Sequence, residues 1–213
     1  MFNRTILLFL FLLSGAIFAQ SAPPTAASVL EKTAQKYNAL ATFSFNFTVT
    51  VEAKEKKLHN FEGILLVKKE KYYLTFEDQI IANDGVTMWN YQKNTNEASI
   101  FEAEDDEFAM FHPVKMLNGW NKEYTAKVIR EDELLKNKVI IVDLTPKKQA
   151  AFYKMRLFIN KTTSYIQQVV MYELDGTTIT YTVSKFAPNP EVDDRQFTFN
   201  KNDFLGVEVN DMR

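Results

Sequence analysis

The side chains best able to do chemistry in this sequence are few and badly placed for it. His59 and His112 are its only histidines, and there is no cysteine. Neither histidine has a second imidazole or a run of carboxylates at ligand spacing, so no metal site can be assembled from local sequence. Both read as surface or hydrogen-bonded residues. Two acid pairs, Asp105 with Asp106 and Asp193 with Asp194, could in principle divide acid and base roles. Both stand in charged stretches that read as solvated turns. No Gly-x-Ser-x-Gly elbow and no phosphate-cradling glycine loop occur, in a chain with six glycines. With nucleophile, metal and nucleotide chemistry all poorly served, the sequence points to binding and away from catalysis.

The elements that would position a binding site announce themselves by period. Phe43, Phe45, Phe47, Val49 and Val51 are apolar and the residues between them polar, a period-two stripe that marks a long strand with one apolar face. Phe61, Leu65 and Val67, then Tyr72, Leu74 and Phe76, repeat it, so several strands offer large side chains to a shared interior. Strands are predicted near 42–53, 60–69, 71–77, 79–83, 86–92, 96–101, 122–130, 138–145, 151–160, 165–175, 177–186 and 196–200. Turn signals at Asn83-Asp84-Gly85 and Asp175-Gly176 favour hairpins and an antiparallel sheet. One amphipathic helix is expected near 26–41, with Ser28 and Glu31 as a capping box and Val29, Leu30, Ala34, Tyr37, Leu40 and Ala41 at helical spacing.

One segment breaks the strand pattern. From Glu102 to Asn121 an acidic run precedes Phe108, Met110, Phe111, Pro113, Met116, Leu117 and Trp120, with Pro113 suited to the first turn of a helix. Methionine-bearing apolar surface adapts to variable partners. The segment is either a plug filling one end of the sheet or a lid that can lift.

Residues 1–19 read as an export signal: Arg4, an apolar run from Ile6 to Leu13, and a small-residue exit ending at Ala19. The run is shorter than the about 20 residues a membrane-spanning helix needs. Residues 20–213 suffice for one well-buried domain and are short for two. The net charge of −2 is too small for nucleic-acid binding. Without cysteine, the exported chain has neither disulfides nor the lipid-attachable residue of an anchored lipoprotein.

Four pieces together resemble the LolA family of periplasmic outer-membrane lipoprotein carriers: Gly63-Ile64-Leu65-Leu66-Val67-Lys68-Lys69; Asp84-Gly85-Val86-Thr87-Met88-Trp89-Asn90-Tyr91; Leu144-Thr145-Pro146-Lys147; and the tail from Phe197-Thr198-Phe199 to Gly206-Val207-Glu208-Val209-Asn210-Asp211-Met212-Arg213. Their order spans nearly the whole mature chain. The resemblance implies an α+β fold, an incomplete, half-open antiparallel β-barrel of about 11 strands whose apolar concave face is covered by an N-terminal helix and lid helices. It implies a single domain over 20–213, located in the periplasm and acting as a monomer without cofactor. Its partners would be acylated lipoproteins, an inner-membrane ABC transporter that releases them and an outer-membrane acceptor. On this basis Phe45, Phe47, Leu65, Val67, Leu74, Phe76, Trp89 and Tyr91 are the expected wall of an acyl-chain cavity, and Met110, Phe111, Met116, Leu117 and Trp120 its lid. For any one wall residue the alternation serves a filled core equally well. The family commonly carries an Arg-Pro pair after the Gly63 strand, and its arginine is thought to hold the lid shut. Here that pair is Lys69-Glu70. Lysine lacks the planar fork of arginine, and strand parity with Leu65 and Val67 points Lys69 into the cavity mouth as the expected latch. The competing readings are the same fold holding another amphiphile, an enzyme acting on lipid esters, and a plain domain with a solid core.

Overall fold

The computed structural model describes residues 23–53, 56–103 and 112–213. The expected export signal, the Asp105–Asp106 pair, and Met110 and Phe111 of the expected lid lie outside the described residues. Helix α1 spans Ala26–Asn38, shorter than its apolar spacing suggested. Its cap is Thr25, whose hydroxyl accepts from the Ser28 amide at 3.1 Å; Ser28 lies within the first turn and donates its own hydroxyl back to Thr25 O at 2.9 Å. The expected capping box therefore sits one turn too late. Val29, Leu30, Thr33 and Tyr37 form the helix's buried face.

Twelve strands follow: β1 Phe43–Ala53, β2 Lys56–Lys68, β3 Lys71–Phe76, β4 Gln79–Asn83, β5 Thr87–Gln92, β6 Glu97–Glu102, β7 Tyr124–Leu134, β8 Asn137–Pro146, β9 Phe152–Asn160, β10 Ile166–Glu173, β11 Thr177–Pro188 and β12 Glu208–Asp211. They make one sheet, ordered β12-β6-β5-β4-β3-β2-β1-β11-β10-β9-β8-β7. All neighbours are antiparallel except β12, which lies parallel to β6. The sheet does not close, because β7 and β12 are not neighbours. The β7 edge carries Lys127, Arg130, Glu131, Asp132 and Glu133, charges that discourage edge pairing with another chain. Irregularities in register at Ser44/Asn46, Val128/Arg130 and Ile166/Gln168 supply local bends.

Register sorts the side chains into two faces. Phe45 pairs with Leu65, Leu65 with Leu74, Leu74 with Ile81 and Ile81 with Asn90, so all five stand on one face. On the other half, Val49 pairs with Tyr181, Tyr181 with Val169, Val169 with Leu157 and Leu157 with Val142. This inner face, α1 and helix α2 (Pro113–Leu117) enclose one continuous core. A third helical turn, α3, spans Trp120–Glu123. Tyr37 pins α1 to the sheet: its hydroxyl accepts from the Ile166 amide at 3.2 Å, and its ring meets Phe43 and Tyr165, each 5.2 Å between centroids. Complete burial raises the Tyr37 phenol well above its ordinary range, so it stays a neutral donor and acceptor.

The strand expected over 196–200 is not formed. Asp194–Phe197 is a 3₁₀ turn, a second follows at Lys201–Asp203, and the terminal strand lies further on as β12. Phe197 and Phe199 cover the opposite, outer face of the sheet instead of extending it. Phe197 is completely buried, and the rings of Phe199 and Phe204 stack 4.7 Å apart and meet Tyr91 at 5.5 and 4.2 Å.

Candidate functional site

A cavity of about 60 Å³ lies between the inner face and α2, lined almost wholly by carbon. Phe45 and Phe47 of β1, Leu65 of β2, Met155 of β9, and Val169 and Met171 of β10 form its wall. Tyr181 and Val183 of β11 complete the wall, and Pro113 and Met116 of α2 form its roof. Burial of Tyr181 pushes its phenol up to about 12, in keeping with a neutral, apolar lining. The volume is far below the ~300–1,000 Å³ of typical ligand sites. With the roof down the space is nearly all filled core, and only a roof that lifts makes it a site.

Of the wall residues expected from sequence, Phe45, Phe47 and Leu65 line the cavity. Val67 and Leu74 are fully buried in the core beside it, and Phe76 packs at its margin against Phe61 at 5.6 Å. Gly63 belongs to this wall by omission. A β-carbon there would sit 2.3 Å from Phe47 Cζ and 2.6 Å from Thr75 O, so the Phe47 ring lies where only glycine leaves room. Two expectations are corrected. Trp89 pairs with Ala82 and Ile100, and Tyr91 with Ile80 and Ala98, on the outer face; the inward residues of β5 are Met88 and Asn90. Sequence reasoning chose the larger side chains, but both faces of β4 and β5 are apolar, so size does not identify the concave one. The contributions of β9, β10 and β11 were missed because β11 and β10 extend the sheet from β1 only through pairings distant in sequence, and β10, with Val169, Val170, Met171 and Tyr172 in a row, does not mark its inner face by alternation.

The roof is short. Five residues cannot hold a helix unaided, so α2 is placed by its contacts. Met116 reaches the cavity, Leu117 is buried in the core and Trp120 packs against it. His112 caps α2, its Nδ1 accepting from the Lys115 amide at 3.4 Å, and its Nε2 donates to Lys69 O at 3.0 Å. A carbonyl can only accept, so these two bonds together require the neutral ring protonated on Nε2. The ring is only 1 % exposed and lies edge-on to Phe43 and Tyr72, at 6.3 and 6.2 Å.

The expected latch is thereby corrected in direction. Lys69 has left strand parity: it sits in the β2–β3 turn with φ 57°, its side chain exposed, and it contributes its backbone carbonyl. The donor comes from the roof. The available signal was His112 immediately before Pro113, a residue at the N-cap followed by proline at the first helical position.

The remaining titratable candidates are structural. Asp193 caps the Asp194–Phe197 turn and pairs with Arg195, which holds its carboxyl down to about 2, so it is permanently charged near neutrality. Asp194 binds Lys68 at 2.5 Å and Lys71 at 3.1 Å, tying the C-terminal segment to the β2–β3 hairpin, and both lysines lower its pKa. His59 of β2 pairs with Glu77, the first residue after β3. No group of three His, Cys, Asp or Glu able to hold a metal occurs among the described residues.

The fold and site define an open antiparallel half-barrel with an apolar, helix-roofed cavity. The chain belongs to the LolA family: the model of the outer membrane lipoprotein carrier protein LolA matches residues 38–200. An outer-membrane lipoprotein carrier protein of Legionella pneumophila (strain Lens) is 25% identical over 206 residues, covering 93% of this chain and 95% of the relative. An uncharacterized protein of Methanocaldococcus jannaschii is 25% identical over 199 residues, covering 92% of this chain, which spans only 58% of that relative. The crystal structure of an uncharacterized conserved protein from Thermus thermophilus superposes with a TM-score of 0.62 at 13% identity, covering 87% of this chain and 98% of that one, and shows the same fold. The family is one of carriers, not enzymes.

Proposed function

We propose that this chain is an exported carrier that shelters the acyl chains of lipoproteins beneath α2 during transit from the inner to the outer membrane. It would act after loss of residues 1–19, as a monomer and through the one domain of residues 20–213. It would receive cargo from an inner-membrane ABC transporter and pass it to an outer-membrane acceptor. The observation that carries this reading is the apolar cavity under a short helix whose N-cap, the buried His112, bonds to the Lys69 carbonyl.

The physical case is one of exchange. Each acyl methylene moved out of water is favoured by about 0.8 kcal/mol, so several chains on one protein will not cross an aqueous space unsheltered. Lifting α2 exposes Pro113, Met116 and the wall, and cargo replaces the roof's contacts with its own. Breaking the His112 bond and uncovering that surface offsets part of the gain, which keeps binding reversible. Release then needs an acceptor with a deeper or drier slot.

The test uses the mature protein and a synthetic acylated peptide, with native mass spectrometry reading a one-to-one complex. Val169→Trp fills the cavity from β10 at a cost of about 1–3 kcal/mol in stability and should abolish the complex in a protein that remains folded by circular dichroism. An undiminished complex would remove the cavity from the function. A discrete lipid co-purifying from the periplasm in place of acylated protein would favour the same fold carrying another amphiphile.

A further inference from the structure

The inner face changes character as it runs from β1 to β6. The row that begins at Phe45, Leu65, Leu74 and Ile81 ends in Asn90. In the neighbouring row Tyr72 pairs with Asn83, and Asn83 with Met88. Asn83 is completely buried, its Oδ1 accepting from the Gly85 amide at 2.8 Å, which fixes the orientation of its side-chain amide. Its Nδ2 is then a buried donor with no hydrogen-bond partner, and Asn90 Oδ1 is a buried acceptor with none. Because Met88 faces Asn83 and Asn90 lies two residues further along β5, the two asparagines are diagonal neighbours on one face, about 7–8 Å apart and too far for these short side chains to satisfy each other.

Leaving such groups unpaired costs stability for no structural return, and a pair consisting of one donor and one acceptor is specific in what it can take. We infer that Asn83 and Asn90 form a polar subsite on the same inner face, beyond the acyl-chain cavity, that receives a secondary amide of the cargo, Asn83 Nδ2 donating to its carbonyl oxygen and Asn90 Oδ1 accepting its N–H. An acylated peptide carries such amides beside its chains; a simple ester offers the carbonyl and lacks the N–H. Three strand spacings, about 14 Å, separate Leu65 at the cavity from Asn90, so chain and amide occupy different parts of one face. A carrier so built reads the root of the cargo as well as its grease. The inference rests on the carrier reading above.

The experiment measures displacement of a fluorescent fatty acid from the mature protein by two probes of equal length, N-methyl dodecanamide and methyl dodecanoate. Wild type should bind the amide about tenfold more tightly. Asn90→Leu should erase that preference by weakening the amide alone. Asn83→Asp keeps the acceptor for Gly85 and removes the donor, and should weaken both probes. Equal affinity of the two probes in the wild type, a measurement that needs no variant to fold, would overturn the subsite while leaving the cavity standing. Failure of both probes and of the fluorescent fatty acid to bind would overturn the carrier reading and the subsite with it.

Discussion

The sheet has two apolar faces, and they are covered by different means. On the outer face of β3–β6, the C-terminal segment lies over Tyr73, Ile80, Ala82 and Tyr91 along an open, partly polar groove, held by the buried Phe197, the stacked rings of Phe199 and Phe204, and the ties from Asp194 to Lys68 and Lys71. It ends by adding β12 to the sheet edge, so its backbone is fastened as well. On the inner face, α2 lies over a cavity with five residues, two of them lining it, and its contacts among the described residues include the buried bond from His112 to Lys69 O, Lys115 over the Tyr72 ring at 5.7 Å and Asn38 against Asn118 just past its end. The contrast teaches that apolar area alone does not separate a site from a core. What separates them here is the kind of cover: the outer one is joined to the sheet as a strand, and the inner one is a five-residue helix laid across it.

Three substitutions probe that contrast, beginning with the largest expected effect. Phe197→Ala should lower unfolding free energy by about 3–5 kcal/mol, the usual cost of emptying a buried aromatic site, as read by denaturant titration, and leave affinity for a fluorescent fatty acid unchanged. A matching loss of affinity would mean that the outer cover serves the binding face. Gly63→Ala must displace the Phe47 ring, since Thr75 O is backbone and cannot swing aside. It should cost about 1–3 kcal/mol and weaken acyl-chain binding, because the displaced ring enters the cavity; unaltered binding would detach Phe47 from the site. His112→Leu should leave Lys69 O without the roof's donor and destabilise the closed arrangement, so the fatty acid should bind up to about tenfold more tightly. Weaker or unchanged binding would show that His112 organises α2 without restraining it.

How much of this could be read from residues depended on whether one face was polar. In β1 the polar residues between the phenylalanines left one choice of face, and Phe45 and Phe47 line the cavity as that stripe implied. In β5, Met88, Trp89 and Tyr91 give no such choice, and the larger pair proved to face outward. The tail misled for a related reason. Phe197-Thr198-Phe199 alternates like a strand, yet three residues of alternation serve a turn equally well, and Phe197 is buried while Phe199 meets Tyr91 on the outer face. His112 reads from sequence as a surface or hydrogen-bonded residue and not a metal ligand; it is hydrogen-bonded, but sequence does not name its partners. It caps α2 through the Lys115 amide and bonds a carbonyl that comes from a turn 43 residues away.

The central claim is that acyl chains enter the inner cavity and not the outer groove. An acylated peptide bearing a photoactivatable diazirine near the end of its chain, cross-linked to the mature protein and mapped by mass spectrometry, tests this directly. The account predicts labels on Met116, Met155 or Val169, the roof and wall of the inner cavity. Labels confined to Tyr73, Phe199 and Phe204, which line the groove beneath the C-terminal segment, would contradict it.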